Sequence, residues 1–260
     1  MDLGLVDKVA VVTGGSKGIG LAIARQLAAE GARVVLVSRT EADLAAAAAS
    51  IEADTGRRPA IATADVGDDA SVTALAERVA AEVGPVQVLV NAAATPNTAG
   101  GFPEDQLEDH INVKVRGALR TARAFAPGMI AAGWGRIVNI SGLAARQSGS
   151  VVGSVRNVAV VAMSKTLADE LGPQGVNVTV VHPGATATER TPALVARTAE
   201  RQGTDAATAE RSMARGVTIG RLVTAAEVAD VVTFLASPRS VAINGDVIAA
   251  GGGVTGSVYY

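Results

Sequence analysis

Short, almost uninterrupted apolar runs alternate along this chain with longer alanine-rich segments. The runs lie at 9–13, 33–38, 60–64, 86–91, 136–140, 176–181 and 246–249. A strand covered on both faces reads as continuously apolar, whereas a half-exposed strand alternates. Between the runs, segments 19–30, 41–54, 69–83, 106–126, 155–171 and 225–236 predict helices. The five alanines at 45–49 fit a helix core, since alanine is the best helix former. Strand–helix alternation predicts an α/β fold with a doubly wound parallel sheet of the Rossmann type. Right-handed crossovers then put helices on both faces. The seven runs predict seven strands, and no break in composition or internal repeat divides the chain, so one domain is expected over 1–260. Segment 183–216, rich in Gly, Pro, Thr and Arg, predicts the longest irregular stretch. A loop of that length in a compact domain reads as a substrate loop or lid.

Composition narrows the function classes. Hydrophobic residues make up 48% and aromatics 2%, so the core must be built from Ala, Val, Leu and Ile. A chain of 260 residues can bury a sizeable core. Net charge is −2 and no basic block occurs, which argues against a nucleic-acid partner. The absence of cysteine removes disulfides, thiolate nucleophiles and Cys-ligated metals, and no metal site is expected. Residues 1–8 lack the basic start and apolar run of a signal peptide. No uninterrupted apolar stretch reaches the ~18 residues that span a bilayer. The expectation is a cytoplasmic protein with no membrane partner.

The candidate chemistry begins at Thr13-Gly14-Gly15-Ser16-Lys17-Gly18-Ile19-Gly20, between the first strand and the first helix. Gly14 permits the tight turn, Gly18 lets the backbone approach a pyrophosphate, and Gly20 lets helix and strand pack closely. The helix N-terminus offers free N–H groups and partial positive charge to phosphate. The residue after the second strand discriminates between cofactors. An acid there would hydrogen-bond the adenosine ribose of NAD, but this chain has Ser38-Arg39. The planar fork of Arg39 suits a 2′-phosphate, and Lys17 can add charge from the other side. NADP(H) is therefore favoured over NAD(H).

These motifs, with others downstream, resemble the short-chain dehydrogenase/reductase family over essentially the whole chain. Asp65-Val66 matches the pair that contacts adenine. Val90-Asn91-Ala92-Ala93-Ala94 resembles the Asn-Asn-Ala-Gly turn, with alanine for the second Asn and the Gly. Asn112 matches the helix-four asparagine, and Gly135-Arg136-Ile137-Val138-Asn139-Ile140-Ser141 matches the fifth strand. Pro183-Gly184-Ala185-Thr186-Ala187-Thr188 matches the turn that receives nicotinamide and phosphates. Asn244-Gly245-Asp246-Val247-Ile248 and Gly251-Gly252-Gly253 match the C-terminal strand and its turn. The resemblance implies Gly14, Ser16, Lys17, Gly18, Ile19, Gly20, Arg39, Asp65, Val66, Asn91, Ala92, Ala93, Pro183, Gly184, Thr186 and Thr188 as cofactor-binding residues. It also implies a homotetramer or homodimer.

In that family a serine binds the substrate oxygen, a tyrosine donates the proton, and a lysine four residues on holds the ribose and lowers the tyrosine's pKa. The asparagine keeps a water in the proton path. Here the pattern breaks. The only tyrosines are Tyr259 and Tyr260. Anchoring on Leu167-Ala168-Asp169-Glu170-Leu171 puts Gly153 at the tyrosine position and Asn157 at the lysine position. A shifted register on Val161 and Lys165 needs a longer preceding loop and recovers no tyrosine either. The family serine aligns with Gly142, one residue after Ser141.

The catalytic candidates are thus Asn112, Ser141 and Asn157. Arg156, His110 and His182 are weighed as substitutes; Arg156 is read as a surface or interface residue, the two histidines as mainly structural, and Lys114 and Arg116 as helix-surface charges. Tyr259 or Tyr260 could enter a neighbouring subunit's pocket. The expected function is NADP-dependent oxidation or reduction of a partly apolar carbonyl or alcohol, with non-standard proton delivery. The alternative is a catalytically silent NADP(H)-binding protein acting as a sensor or oligomer partner.

Overall fold

The computed structural model describes residues 1–95 and 104–256. Tyr259 and Tyr260 lie outside the described residues.

The first half of the fold runs β1 (Val9–Thr13), α1 (Gly18–Ala29), β2 (Arg33–Ser38), α2 (Glu41–Thr55), β3 (Ala60–Thr63), α3 (Asp69–Glu82) and β4 (Val88–Asn91). Then come α4 (Glu104–His110), a π-helical turn (Ile111–Arg116), α5 (Gly117–Ala131), β5 (Gly135–Ile140), α6 (Val151–Leu171) and β6 (Val176–Pro183). The chain continues through β7 (Thr186–Ala187), α7 (Thr191–Gln202), α8 (Ala206–Met213), β8 (Val223–Thr224), α9 (Ala225–Leu235) and β9 (Val247–Ala250). Seven strands form one parallel sheet in the order β3-β2-β1-β4-β5-β6-β9. The order reverses direction between β1 and β4. In open α/β sheets a ligand crevice opens at such a switch point, outside the carboxyl ends of the strands.

Side chains alternate across each strand and so feed two cores. Ala10, Val12, Leu36 and Val90 pack beneath α1, α2 and α9 with Ile23, Leu27, Leu44, Ile51, Val228 and Leu235. Val9, Val11, Val35, Leu89 and Ile137 face α3, α5 and α6 with Leu75, Val79, Phe125, Met129 and Leu171. Both strand faces are thereby dry, which explains the unbroken apolar runs. The chain from α6 to the turn after it, Val151–Gln174, is long and apolar enough by composition to cross a bilayer. Its apolarity has a local use, because Val152, Val160, Ala168 and Leu171 are buried inside the fold.

Two expectations change. The segment 183–216 is not mainly irregular, because it carries β7, α7 and α8. Pro192 sits in the first turn of α7, Gly203 ends it with φ 62°, and the Asp205 carboxylate accepts from the Thr208 N–H to start α8. These are ordinary helix punctuation marks in a segment otherwise poor in apolar residues. Val195, Ala199 and Ala209 form a small core of their own there. The helix expected over 106–126 is also interrupted, by the π turn at 111–116.

Candidate active site

A cleft of about 600 Å³ opens along the carboxyl ends of β1, β2, β4 and β5. Its floor is the glycine turn. Gly14 has φ +67°, and a Cβ there would lie 2.8 Å from the Ala92 carbonyl oxygen. A Cβ on Gly20 would lie 2.2 Å from the Gly14 carbonyl oxygen. The turn can close only with glycine at both positions. Thr13 braces it from below, its hydroxyl oxygen accepting from the N–H groups of Ala92 (3.2 Å) and Ala93 (3.3 Å).

The N-terminus of α1 has no side-chain cap and no acid in its first turn. Its Gly18 N–H donates instead to the Glu189 carboxylate, 3.2 Å away. Glu189 follows the expected phosphate-binding turn, so a protein anion rests where a helix N-terminus receives ligand anions. This stand-in, together with the glycine cradle, fits a pyrophosphate. At the outer end, Lys17 is engaged by Asp43 at 2.6 Å. Arg39 is exposed, lines the cleft and has no ion-pair partner among the described residues.

Most of the expected cofactor residues line this cleft: Gly14, Ser16, Lys17, Gly18, Ile19, Gly20, Arg39, Asp65, Val66, Ala92, Ala93, Pro183, Gly184 and Thr188. Asn91 and Thr186 do not. The buried Asn91 amide donates to Asn139 Oδ1 (2.9 Å), and its oxygen accepts from the Thr121 hydroxyl (2.7 Å), so it ties β4 to β5 and α5. The Thr186 hydroxyl donates to the Gly184 carbonyl at 3.0 Å.

The inner end differs from the sequence reading. Asn112 is outside the cleft. Its Nδ2 donates to the Gly67 carbonyl (3.2 Å) and its Oδ1 accepts from Arg120 (3.0 Å). Residues two apart on a helix point about 200° apart, so only one of Asn112 and Lys114 can face the sheet edge. It is Lys114. Far from a surface charge, Lys114 is 7% exposed and lines the cleft. Its Nζ donates to the Ser141 carbonyl oxygen at 2.9 Å. Burial, and after it the Arg156 guanidinium, push the ammonium pKa down to about 7.

Ser141 lines the cleft, and its hydroxyl points to α6, 3.1 Å from the Asn157 carbonyl oxygen and 3.3 Å from Asn157 Oδ1. Asn157 is buried behind Ser141 and does not line the cleft. A Cβ on Gly142 would stand 3.2 Å from Asn157 Nδ2, so the amide leans into the space beside that glycine. Gly153 lies in the first turn of α6, where its N–H donates to the Ser150 hydroxyl oxygen at 3.1 Å. Arg156, one turn beyond Gly153, is 8% exposed and lines the cleft, which corrects its reading as a surface group. It donates to the Thr95 carbonyl oxygen (3.1 Å) and touches His110 Nδ1, while its Nε has no hydrogen-bond partner. His182 is buried, and its Nδ1 accepts from the Gly142 N–H at 3.2 Å. Burial first, then the charges of Arg146 and Lys114, lower its pKa to about 4, which leaves the imidazole neutral.

A glycine-cradled cleft at the switch point of a seven-stranded parallel sheet defines a dinucleotide-binding α/β protein. The pattern of the short chain dehydrogenase family matches residues 8–199, and the chain belongs to that family. It is 36% identical to the short-chain reductase protein NovJ of Streptomyces niveus, over 95% of this chain and 94% of that protein. It is 33% identical to the 3-oxoacyl-[acyl-carrier-protein] reductase FabG of Escherichia coli K12, over 95% and 97% of the two chains. Its fold is similar to L-sorbose reductase from Gluconobacter frateurii, solved with NADPH and L-sorbose. The TM-score is 0.93 at 32% identity, covering 99% of this chain and 100% of that one. These relatives place the chain among oxidoreductases of the short-chain type.

Proposed function

We propose that this protein is an NADP(H)-dependent oxidoreductase that interconverts a carbonyl and an alcohol, with the proton delivered by a group other than tyrosine. The observation that carries the reading is the cradle itself: Gly14, Gly18 and Gly20 at the N-terminus of α1, where the Glu189 carboxylate occupies the anion position, with Arg39 unpaired among the described residues at the outer end. NADP(H) would lie with its pyrophosphate over Gly18 and Thr188 and its 2′-phosphate at Arg39. Asp65 and Val66 would border the adenine. When bound, the nicotinamide supplies or accepts the hydride, and the protein supplies orientation and acid–base groups. Ser141, Lys114 and Arg156 are polar groups at the inner end, where the substrate oxygen would sit. α7 and α8 would cover it, and the exposed Leu194 with the exposed alanines of α7 suits a partly apolar substrate. NADPH in the L-sorbose reductase structure supports the cofactor choice.

A second reading has its own observation: none of the described residues is a tyrosine, and Gly153 and Asn157 stand where the family's pair is expected. A catalytically silent NADP(H)-binding protein would look the same outside the inner end. Turnover separates the two. NADPH oxidation in the presence of a panel of small ketones, sugars and acyl thioesters is expected to exceed the substrate-free rate for at least one compound. Tight NADPH binding with no oxidation on any of them would favour the silent protein.

A further inference from the structure

We infer that Lys114 is the proton donor of this site, reaching the substrate oxygen from the π turn after α4 and not from α6. The inference rests on the oxidoreductase reading. Three residues meet at the inner end: Lys114 Nζ on the Ser141 carbonyl, and the Ser141 hydroxyl on Asn157. The ammonium has three N–H donors. Its one hydrogen bond among the described residues is to Ser141, which leaves two N–H groups for a ligand in the cleft that Lys114 lines.

Elimination points the same way. Arg156 is the other cation at this end, but a guanidinium does not give up a proton near neutral pH. His182 is neutral and its Nδ1 is taken by the Gly142 N–H. His110 is held against Arg156 and does not line the cleft. The Ser141 hydroxyl is committed to Asn157, and an unactivated serine is a poor acid. Arg156 from α6, His110 from α4 and His182 from β6 are the ionisable groups that face Lys114, and among the described residues no carboxylate pairs with it. Burial beside a guanidinium makes the ammonium release its proton more readily, with a pKa of about 7. A general acid works best when its pKa lies near the working pH.

The step balances as follows. The carbonyl π bond opens as its carbon gains a hydride from the reduced nicotinamide. The carbonyl oxygen forms an O–H bond as a Lys114 N–H bond breaks. The neutral amine then takes a proton from solvent. Alcohol oxidation runs the same path in reverse.

The chain has four lysines, Lys8, Lys17, Lys114 and Lys165, so lysine Cε resonances can be followed one by one in ¹³C-lysine-labelled protein. The resonance lost in Lys114→Met identifies this residue. It is expected to titrate with a midpoint near 7 in the free protein and to move when NADPH is added. Lys114→Arg keeps the charge but not the labile proton. Both variants are expected to bind NADPH within about twofold of wild type and to lose about 10²–10⁴-fold in carbonyl reduction, the usual contribution of a positioned acid. A midpoint above about 9, near the ordinary lysine value, overturns the assignment. So does a Lys114→Arg protein that reduces the carbonyl at the wild-type rate. Wild-type protein inert toward every carbonyl would sink the oxidoreductase reading instead. The two failures are distinguishable because the NMR titration needs no substrate.

Discussion

At the scale of the residue, Lys114 carries a measurable cost. Its pKa in the folded protein, about 7, lies below that of an unfolded lysine, about 10.4. The unfolded chain therefore binds more protons between these values. The destabilisation is full below pH 7 and is relieved as pH rises toward 10. Stability should increase across that window with a slope of up to about 1.4 kcal/mol per pH unit. Urea unfolding of wild type and Lys114→Met at several pH values checks this, and the variant is expected to lack the lysine's share of the rise. At the opposite end of the cleft, Arg39→Asp should exchange a 2′-phosphate clamp for a ribose acceptor. We expect the ratio of NADPH to NADH affinity to fall by at least about tenfold, the value of one charge-assisted contact of ~1.4 kcal/mol or more. Equal ratios in the two proteins would remove Arg39 from the account. Arg39 was legible in the sequence because it directly follows a strand. Lys114 was not, because a continuous helix over 106–126 gave no way to tell which of Asn112 and Lys114 faces inward. A π turn adds a residue to one helical turn and so re-aims the side chains around it.

At the scale of the element, the β1–α1 turn is the part the sequence specified most fully. Its glycines sit where a Cβ would strike backbone, at 2.8 Å for Gly14 and 2.2 Å for Gly20. Gly20→Ala is expected to cost about 3 kcal/mol or more, because rigid backbone must move, and to abolish NADPH binding. Thermal melting and a binding titration test both halves. Glu189 was invisible beforehand, since nothing local marks a residue after a Pro-Gly turn as the partner of an amide 171 positions away. It competes for the anion site at the N-terminus of α1. Glu189→Gln should therefore tighten NADPH by about two- to fivefold, the scale of one exposed charge at a helix end. Weaker binding in that variant would mean that Glu189 supports the bound state. The inner strands were readable because β1, β4, β5 and β6 are buried throughout, on both faces. α7 and α8 were not, because they bury only Val195, Thr198 and Ala199, and Ala209, and their caps are the main signal.

At the scale of the whole molecule, Val151, Val155 and Val158 form an exposed apolar stripe on α6, with 44–48% of each side chain's residue surface open. Their spacing puts them on one helix face. An exposed apolar stripe is a candidate for the subunit contact that the expected homodimer or homotetramer requires. Light scattering on the purified protein should give a mass above the monomer, and a Val155→Glu, Val158→Glu variant should shift it to the monomer with an unchanged circular dichroism spectrum. The sheet order, the two cores and the cleft beside the β1–β4 switch point suit a dinucleotide; the demand for a 2′-phosphate is our proposal and rests on Arg39. Fluorescence titration with NADPH, with NADH as the control, tests that demand most directly. Saturable binding with NADPH clearly tighter than NADH is the expected result, and binding of neither would contradict the account at its centre.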